Sequence, residues 1–317
     1  HIRAEQPGVV WFNLGYTIFG ASRPGNFLGL LAPYITRQLG VPLVTTLHQI
    51  FEVTPPRSVG AKNGHLTSLG ARTATQLLLK AGMVCVTLRR YKDALQRLYG
   101  AGNVHHIPHG AYVVPEVLPH PGTPPEDVLF FGSLAPFKGL TTLLAAFERL
   151  QRRRPQATLT IAGSDHPRFP GYLDHLRHTA LARNGAGPTG VRWLGPRPET
   201  DLRALFAQAR VVALPYLATT GASSVLYRAA AYGRPVVASD LADLRAATDE
   251  EGLALDFVPP ADPAALAAAL EALLADPVRR AVLSEGNLAA MGRLTIEQTC
   301  ARYLALFRQV SRAAPPV

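Results

Sequence analysis

The sequence predicts an α/β protein built from two domains with parallel sheets, and three observations predict it. From Pro7 onward, short runs rich in Val, Ile and Leu alternate with amphipathic stretches of about 12 to 18 residues, the rhythm of βαβ units. The runs are almost entirely apolar rather than alternating, as strands are when helices cover both faces of their sheet. The chain has 317 residues, about twice the roughly 150 of an ordinary domain, which leaves room for two cores.

The strands are expected at Val9–Asn13, Leu43–Leu47, Met83–Thr87, Val104–Pro108, Val128–Gly132, Ala157–Ala162, Val191–Leu194, Val211–Leu214, Val236–Ser239 and Leu253–Phe257. After Lys138 and Gly139, the residues Leu140, Leu143, Leu144, Phe147 and Leu150 fall on one helical stripe that faces a sheet. A short helix is expected from Ser224 until Gly233, Arg234 and Pro235 stop it. An Ala-rich helix follows over Ala261–Ala275, Ala being the best helix former. Thr295 and Gln298 read as a capping box opening a last helix to about Val310, with Tyr303, Leu304 and Phe307 on one side. Between Pro108 and Asp127, five prolines from Pro115 to Pro125 and no helical period mark a linker. The boundaries follow: residues 1–115 as a first Rossmann-like domain, 116–295 as a second, and the helix 296–312 completing the first. The first domain reads as incomplete, its opening strands and a glycine-rich turn of the G-x-G-x-x-G kind being absent.

Composition excludes several classes. With 48% hydrophobic and 17% charged residues the chain is globular, not disordered. Cys85 and Cys300 are the two cysteines, so a disulfide scaffold is excluded and a reducing, cytoplasmic location is expected. The charge-free run from Val211 to Tyr227 contains Pro215, Gly221, two Thr and two Ser, unlike a spanning helix. The formal net charge of +10 attracts phosphate-rich partners. The basic clusters at residues 89–92, 152–154 and 279–280 hold one aromatic, Tyr91, and none of the repeated basic–aromatic interleaving of single-strand platforms, so no nucleic acid partner is expected. Membrane contact, through the basic helix around Arg89–Arg97, is at most peripheral and at the inner face.

The most informative stretch is 219–239. A strand ends at Leu214 and Pro215, a turn of small residues follows, and a helix begins. Backbone N–H groups at such a helix start, with the macrodipole, make an anion seat. The same arrangement recurs at Phe130–Gly139, where Lys138 stands just before a helix at the carboxyl end of another strand, the edge at which parallel sheets bind ligands. His105, His106 and His109 read as structural, since neighbours on a strand point to opposite faces. Ser223 and Ser224 with His48 lack the G-x-S-x-G elbow of a hydrolase.

On these residues the chain resembles the retaining nucleotide-sugar glycosyltransferases of family four, which have the GT-B fold of two facing Rossmann-like domains. Residues 132–139 are similar to the family's G-x-[LI]-x-x-x-K-G loop, and residues 159–163, 191–195 and 201–216 follow in the family's order. Residues 232–240 match its G-[KR]-P-V-[VI]-A-[ST] strand. Val44–Gln49 resembles the strand that ends in the family's active-site His, and Ile107–Gly110 its interdomain hinge.

The resemblance implies a metal-independent, retaining transfer of a sugar from a nucleotide-diphospho-sugar to a sugar, lipid or small-molecule acceptor. The nucleotide-sugar is the substrate and no cofactor is required. Lys138 would contact the leaving phosphate and His48 a sugar hydroxyl across the cleft. Gly132, Ser133, Thr220, Gly221, Ala222, Ser223, Ser224, Val225 and Arg228 would hold the donor, with Arg197 beside its base. Asn13 and Gly15 would lie on the acceptor side. No Asp-x-Asp pair occurs, in keeping with metal-independent chemistry. The sequence departs from the family at its E-x7-E element, which falls on Thr220 and Arg228, and at the Arg of the diphosphate loop, where Ser133 and Ala135 stand. An Arg offers donors and no acceptor to ribose hydroxyls. These departures leave one alternative, a GT-B-like binding or regulatory module without catalysis.

Overall fold

The apolar runs become strands in the computed structural model, which describes residues 5, 7–16, 19, 22–61, 64–118, 127–184, 189–219 and 221–312. The chain divides into two compact units, one of residues 1–110, 219–222 and 296–317, the other of residues 111–218 and 223–295.

In the first unit, β1 (Val10–Leu14), β2 (Leu43–Leu47), β3 (Met83–Val86) and β4 (Val104–His106) form a parallel sheet in the order β1-β2-β3-β4. Between the strands lie α1 (Arg23–Leu30) and α2 (Ala32–Gln38), then α3 (Gly64–Ala81), then α4 (Arg89–Tyr99). In α3 the buried residues Ala71, Ala74, Thr75, Leu78 and Ala81 recur at the spacing of one helix face. The last helix, α12 (Ile296–Arg312), returns to this unit, where Leu306 joins Val44, Cys85 and Ile107 in one apolar cluster. Tyr303 and Phe307 pack on Trp11 with ring centres 5.0 and 5.6 Å away. Leu304, expected beside them, is half exposed. It follows Tyr303 by one position, about 100° around the helix, whereas Phe307 follows by four.

The second unit holds β5 (Asp127–Phe131), β6 (Thr158–Ala162), β7 (Val191–Gly195), β8 (Val211–Leu214), β9 (Val236–Ser239) and β10 (Asp256–Val258), all parallel, in the order β10-β9-β8-β5-β6-β7. Helices α5 (Leu140–Arg153), α6 (Tyr172–Asn184), α7 (Glu199–Gln208), α8 (Ser224–Ala231), α9 (Ala242–Glu251), α10 (Pro263–Ala275) and α11 (Pro277–Gly292) connect and flank them. All five stripe residues of α5 are buried. The tenth strand begins at Asp256, not Leu253. The fully buried Asn287 clasps Ala254 at both its N–H (2.7 Å) and its carbonyl (3.0 Å), so that residue has no backbone group left for a ladder.

The described part of the Pro-rich segment is fastened to the second unit. Glu116 receives both arms of Arg203 at 2.8 Å, and its N–H donates to the carbonyl of Ala231 at 2.9 Å. Arg234, almost fully buried, donates to the carbonyls of Leu118 and Ala209.

Charge divides unevenly. The first unit carries 14 Lys and Arg against 4 Asp and Glu, whereas the second carries 18 of each, so the whole formal excess of +10 belongs to the first.

Candidate active site

The strand order of the second unit fixes where a ligand belongs. From β5 the chain moves outward to β6 and β7, then returns to β8 on the other side and moves outward to β9 and β10. The crevice beyond the carboxyl ends of β5 and β8 is therefore the switch point at which open parallel sheets bind ligands. The loops leaving those two strands carry Lys138 and the small-residue turn.

The two loops are stitched by main chain. After β5 a 3₁₀ turn, Pro136–Lys138, leads into Gly139, which is left-handed at φ 68°. A Cβ there would overlap the carbonyl oxygen of Pro215, so only glycine permits the approach. The N–H groups of Leu217 and Ala218 both donate to the Phe137 carbonyl, at 2.8 and 3.3 Å. This closure puts the Lys138 ammonium 3.8 Å from the ring centre of Tyr216, a cation–π contact on a side chain that is itself 1% exposed. The Tyr216 hydroxyl is 3.3 Å from Ser223 Oγ. Ser223 is the N-cap of α8, but its side chain bonds no backbone N–H of the helix, so its hydroxyl does not occupy the first-turn donors.

Gly132 directly follows β5, its N–H donating to the Ala162 carbonyl at 3.0 Å, and Val225 lies in van der Waals reach of its open side. Ser133 is exposed, whereas Ala135 is fully buried, so of the two positions without the family's Arg only Ser133 looks outward. At the α8 mouth Ser224 is exposed, Ala222 half-buried and Val225 buried. Thr220 lies outside the described residues. Gly221, at φ 98°, clusters with the first unit, and a Cβ on it would overlap the His48 carbonyl oxygen. Arg197 turns back on its own loop, donating to the Leu194 carbonyl at 2.7 Å. Arg228 forks onto Glu199 at 2.5 and 3.1 Å; its side chain is 11% exposed and that of Glu199 69%.

In the first unit His48 follows β2, and its Nε2 lies 2.5 Å from Oδ1 of Asn13 on neighbouring β1. Burial lowers the His48 pKa, so the ring tends to stay neutral. The His109 ring lies 5.5 Å away; burial first, and His48 second, lower its pKa to about 4. Gly15, just past β1, has open space around it and no left-handed backbone, so neither shape nor space demands glycine there.

Sequence reasoning missed two residues. Tyr216 follows a Pro at a strand end and reads as an ordinary core aromatic. Glu199, in the first turn of α7, reads as a partner of the helix dipole. Nothing local ties it to Arg228, 29 positions on.

A doubly wound parallel sheet with a lysine and an open helix N-terminus at its switch point has the features with which such sheets receive phosphorylated ligands. The family described as glycosyl transferases group 1 matches residues 125–276. The chain is 29% identical over 260 residues to a glycogen synthase of Mycobacterium tuberculosis, covering 80% of this chain and 59% of that protein. To a D-inositol 3-phosphate glycosyltransferase of Xylanimonas cellulosilytica it is 27% identical over 330 residues, covering 96% and 74%. The crystal structure of Anabaena HepE in complex with UDP-glucose superposes with a TM-score of 0.74 over 97% of this chain and 80% of that one, at 20% identity. Residues 125–276, just under half of the chain, match the group 1 glycosyltransferases, and the chain has the GT-B fold. It spans about three fifths of the length of the glycogen synthase it matches.

Proposed function

We propose that the protein is a retaining glycosyltransferase that takes a hexose from a nucleotide-diphospho-sugar and places it on an acceptor hydroxyl. The observation that carries this reading is the pairing of the Lys138 ammonium with the uncapped start of α8, joined through Tyr216 at the switch point. The donor's diphosphate would lie between them. As the bond from the anomeric carbon to the diphosphate breaks, negative charge grows on the departing oxygen. Lys138 and the first N–H groups of α8 are preorganised to stabilise it. The acceptor oxygen bonds the anomeric carbon on the same face, and its proton passes to the departing diphosphate oxygen, so configuration is retained. His48, kept neutral by burial, would bond a hydroxyl of the transferred sugar. UDP-glucose, which HepE holds, is the first donor to try.

Calorimetry with UDP, GDP and their hexose conjugates, together with a coupled assay for nucleotide diphosphate release, tests the proposal. Binding with transfer or slow donor hydrolysis is expected. Binding with neither over a day would mean a module that recognises the donor without catalysis, and no binding at millimolar nucleotide would overturn the reading.

A further inference from the structure

The loop that leaves β6 lies against the loop that carries Lys138. Gly163, at φ 142°, makes this possible, because a Cβ on it would overlap the carbonyl oxygen of Gly132. Beyond the two strands the main chains stay paired. The Leu134 N–H donates to the Ser164 carbonyl and the His166 N–H to the Leu134 carbonyl, each at 2.8 Å. Asp165 fixes the rest of the loop, its two carboxylate oxygens accepting from the N–H groups of Gly171 and Leu173, at 2.7 and 2.8 Å, where α6 begins.

This pairing gathers polar groups beside Lys138. The rings of Phe137, His166 and Phe169 form a three-sided cluster, their centres 5.8, 6.0 and 5.9 Å apart. The Lys138 ammonium lies 6.0 Å from the centre of the Phe137 ring and the Arg168 guanidinium 6.0 Å from that of Phe169, so both cations border one aromatic cluster. His166 Nδ1 accepts the Arg168 N–H at 3.1 Å, which puts the ring proton on Nε2, a donor that bonds nothing among the described residues. Burial first, then Arg168 and Lys138, lower the His166 pKa and keep the ring neutral.

Charge balance gives this cluster a use. A nucleotide-diphospho-sugar brings a negative charge on each phosphate and gains another as the sugar departs, and Lys138 supplies a single positive one. Three Lys or Arg stand in the loops beyond the carboxyl ends of the second unit's strands: Lys138, Arg168 and Arg197. Arg197 is turned back on the Leu194 carbonyl, whereas Arg168 is exposed and closes no ion pair among the described residues.

We propose that Arg168 and His166 bind the nucleoside-side phosphate of the donor, extending toward β6 the seat that Lys138 and the start of α8 make for the sugar-side phosphate. The choice of ligand rests on the transferase reading. Because β6 lies on the far side of β5 from β8, the diphosphate runs across the mouth of β5. Arg168 meets the second phosphate with its guanidinium fork, and His166 with its neutral Nε2–H.

Calorimetry on the full chain tests it with UDP and UMP, and with GDP and GMP beside them; the monophosphates isolate the nucleoside-side phosphate. R168Q should weaken monophosphate and diphosphate alike by about tenfold, and its binding should depend less steeply on salt than the parent's. R168K, which keeps the charge but not the fork, should restore the salt dependence and part of the affinity. H166F keeps a ring in the cluster and removes the Nε2–H, so it should weaken both nucleotides about threefold at an unchanged melting temperature. The assignment is overturned if R168Q binds both nucleotides as the parent does, or if its loss is confined to the diphosphates, which would put the guanidinium on the sugar-side phosphate. A parent that binds no nucleotide removes the transferase reading and this assignment with it; a parent that binds nucleotide, with variants that bind it equally well, removes the assignment alone.

Discussion

The two parallel sheets build their carboxyl edges from different material. In the second unit the edge is made of backbone: Gly139 against Pro215, Phe137 bonded to Leu217 and Ala218, and the open start of α8, with Lys138 as its point charge. The unit as a whole is electrically balanced. In the first unit the edge is made of side chains, with His48 on Asn13 and Glu52 on Tyr99, set in a strongly positive surround. Backbone donors fit a diphosphate whatever sugar it carries, whereas side chains can be changed one at a time to suit one sugar. On the transferase reading, the second unit's edge would serve the donor and the first unit's edge the acceptor.

The largest effect should come from the point charge of the balanced unit. On the transferase reading, Lys138→Ala removes the cation that would face the leaving group, and loss of one such preorganised group should lower kcat by about 10²–10³. Circular dichroism and the melting temperature should stay near those of the parent, since the lysine rests on Tyr216 without closing any core. Turnover within a few fold of the parent would show that the diphosphate lies elsewhere.

Stability should separate the two edges next. Gly139→Ala must place a Cβ on the Pro215 carbonyl as well as occupy φ 68°, and about 3 kcal/mol of unfolding free energy should be lost. Gly100, which ends α4 in the first unit at φ 62°, has open space around it, so Gly100→Ala carries only the left-handed penalty of about 1 kcal/mol. Denaturant midpoints of the two variants measure the difference. Equal losses would mean that backbone conformation alone is at issue and the stitched loops contribute nothing.

Acid should then act on the side-chain edge. Native His109 titrates at about 4, below the 6.5 of an ordinary histidine. As pH falls from 6.5 toward 4 the unfolded chain takes up a proton that the native ring refuses, so stability is lost on acidification, by at most about 3 kcal/mol. Above 6.5 the ring is neutral in both states and the effect vanishes. His109→Asn should flatten the melting temperature over this range. Buried Asp127 in the second unit has the opposite sign. Burial raises its pKa despite bonds from Thr158 and Thr160 and a 3.2 Å pair with Arg192, so rising pH weakens its contribution.

The periodic features were legible in the sequence. All ten apolar runs form strands, and the α5 stripe is buried residue for residue, because burial on a parallel sheet leaves a continuous apolar signature. The position of Lys138 just before a helix at a strand end was legible for the same reason. What could not be read were contacts between loops far apart in sequence. Tyr216 beneath Lys138 and Glu199 on Arg228 follow from strand order, and strand order leaves no local mark. The loss of the ladder at Ala254 was hidden because the residue responsible, Asn287, lies 33 positions away, on α11.

The smallest effect concerns that hidden pair. Arg228 stands where the family has a carboxylate, and Glu199, held by the Arg, returns a carboxylate to its neighbourhood. If Glu199 accepts ribose hydroxyls, Glu199→Gln should raise the donor KM about two- to fivefold and leave kcat within about twofold, as loss of a solvent-exposed contact would. Arg228→Gln, which frees Glu199 to swing, should do the same, and the double variant should be no worse than either alone, because both remove one coupled interaction. Additive losses would mean that each residue meets the donor separately. A fall in kcat for Arg228→Gln at unchanged KM would place its guanidinium on the departing phosphate, making the second unit's edge less purely a backbone construction.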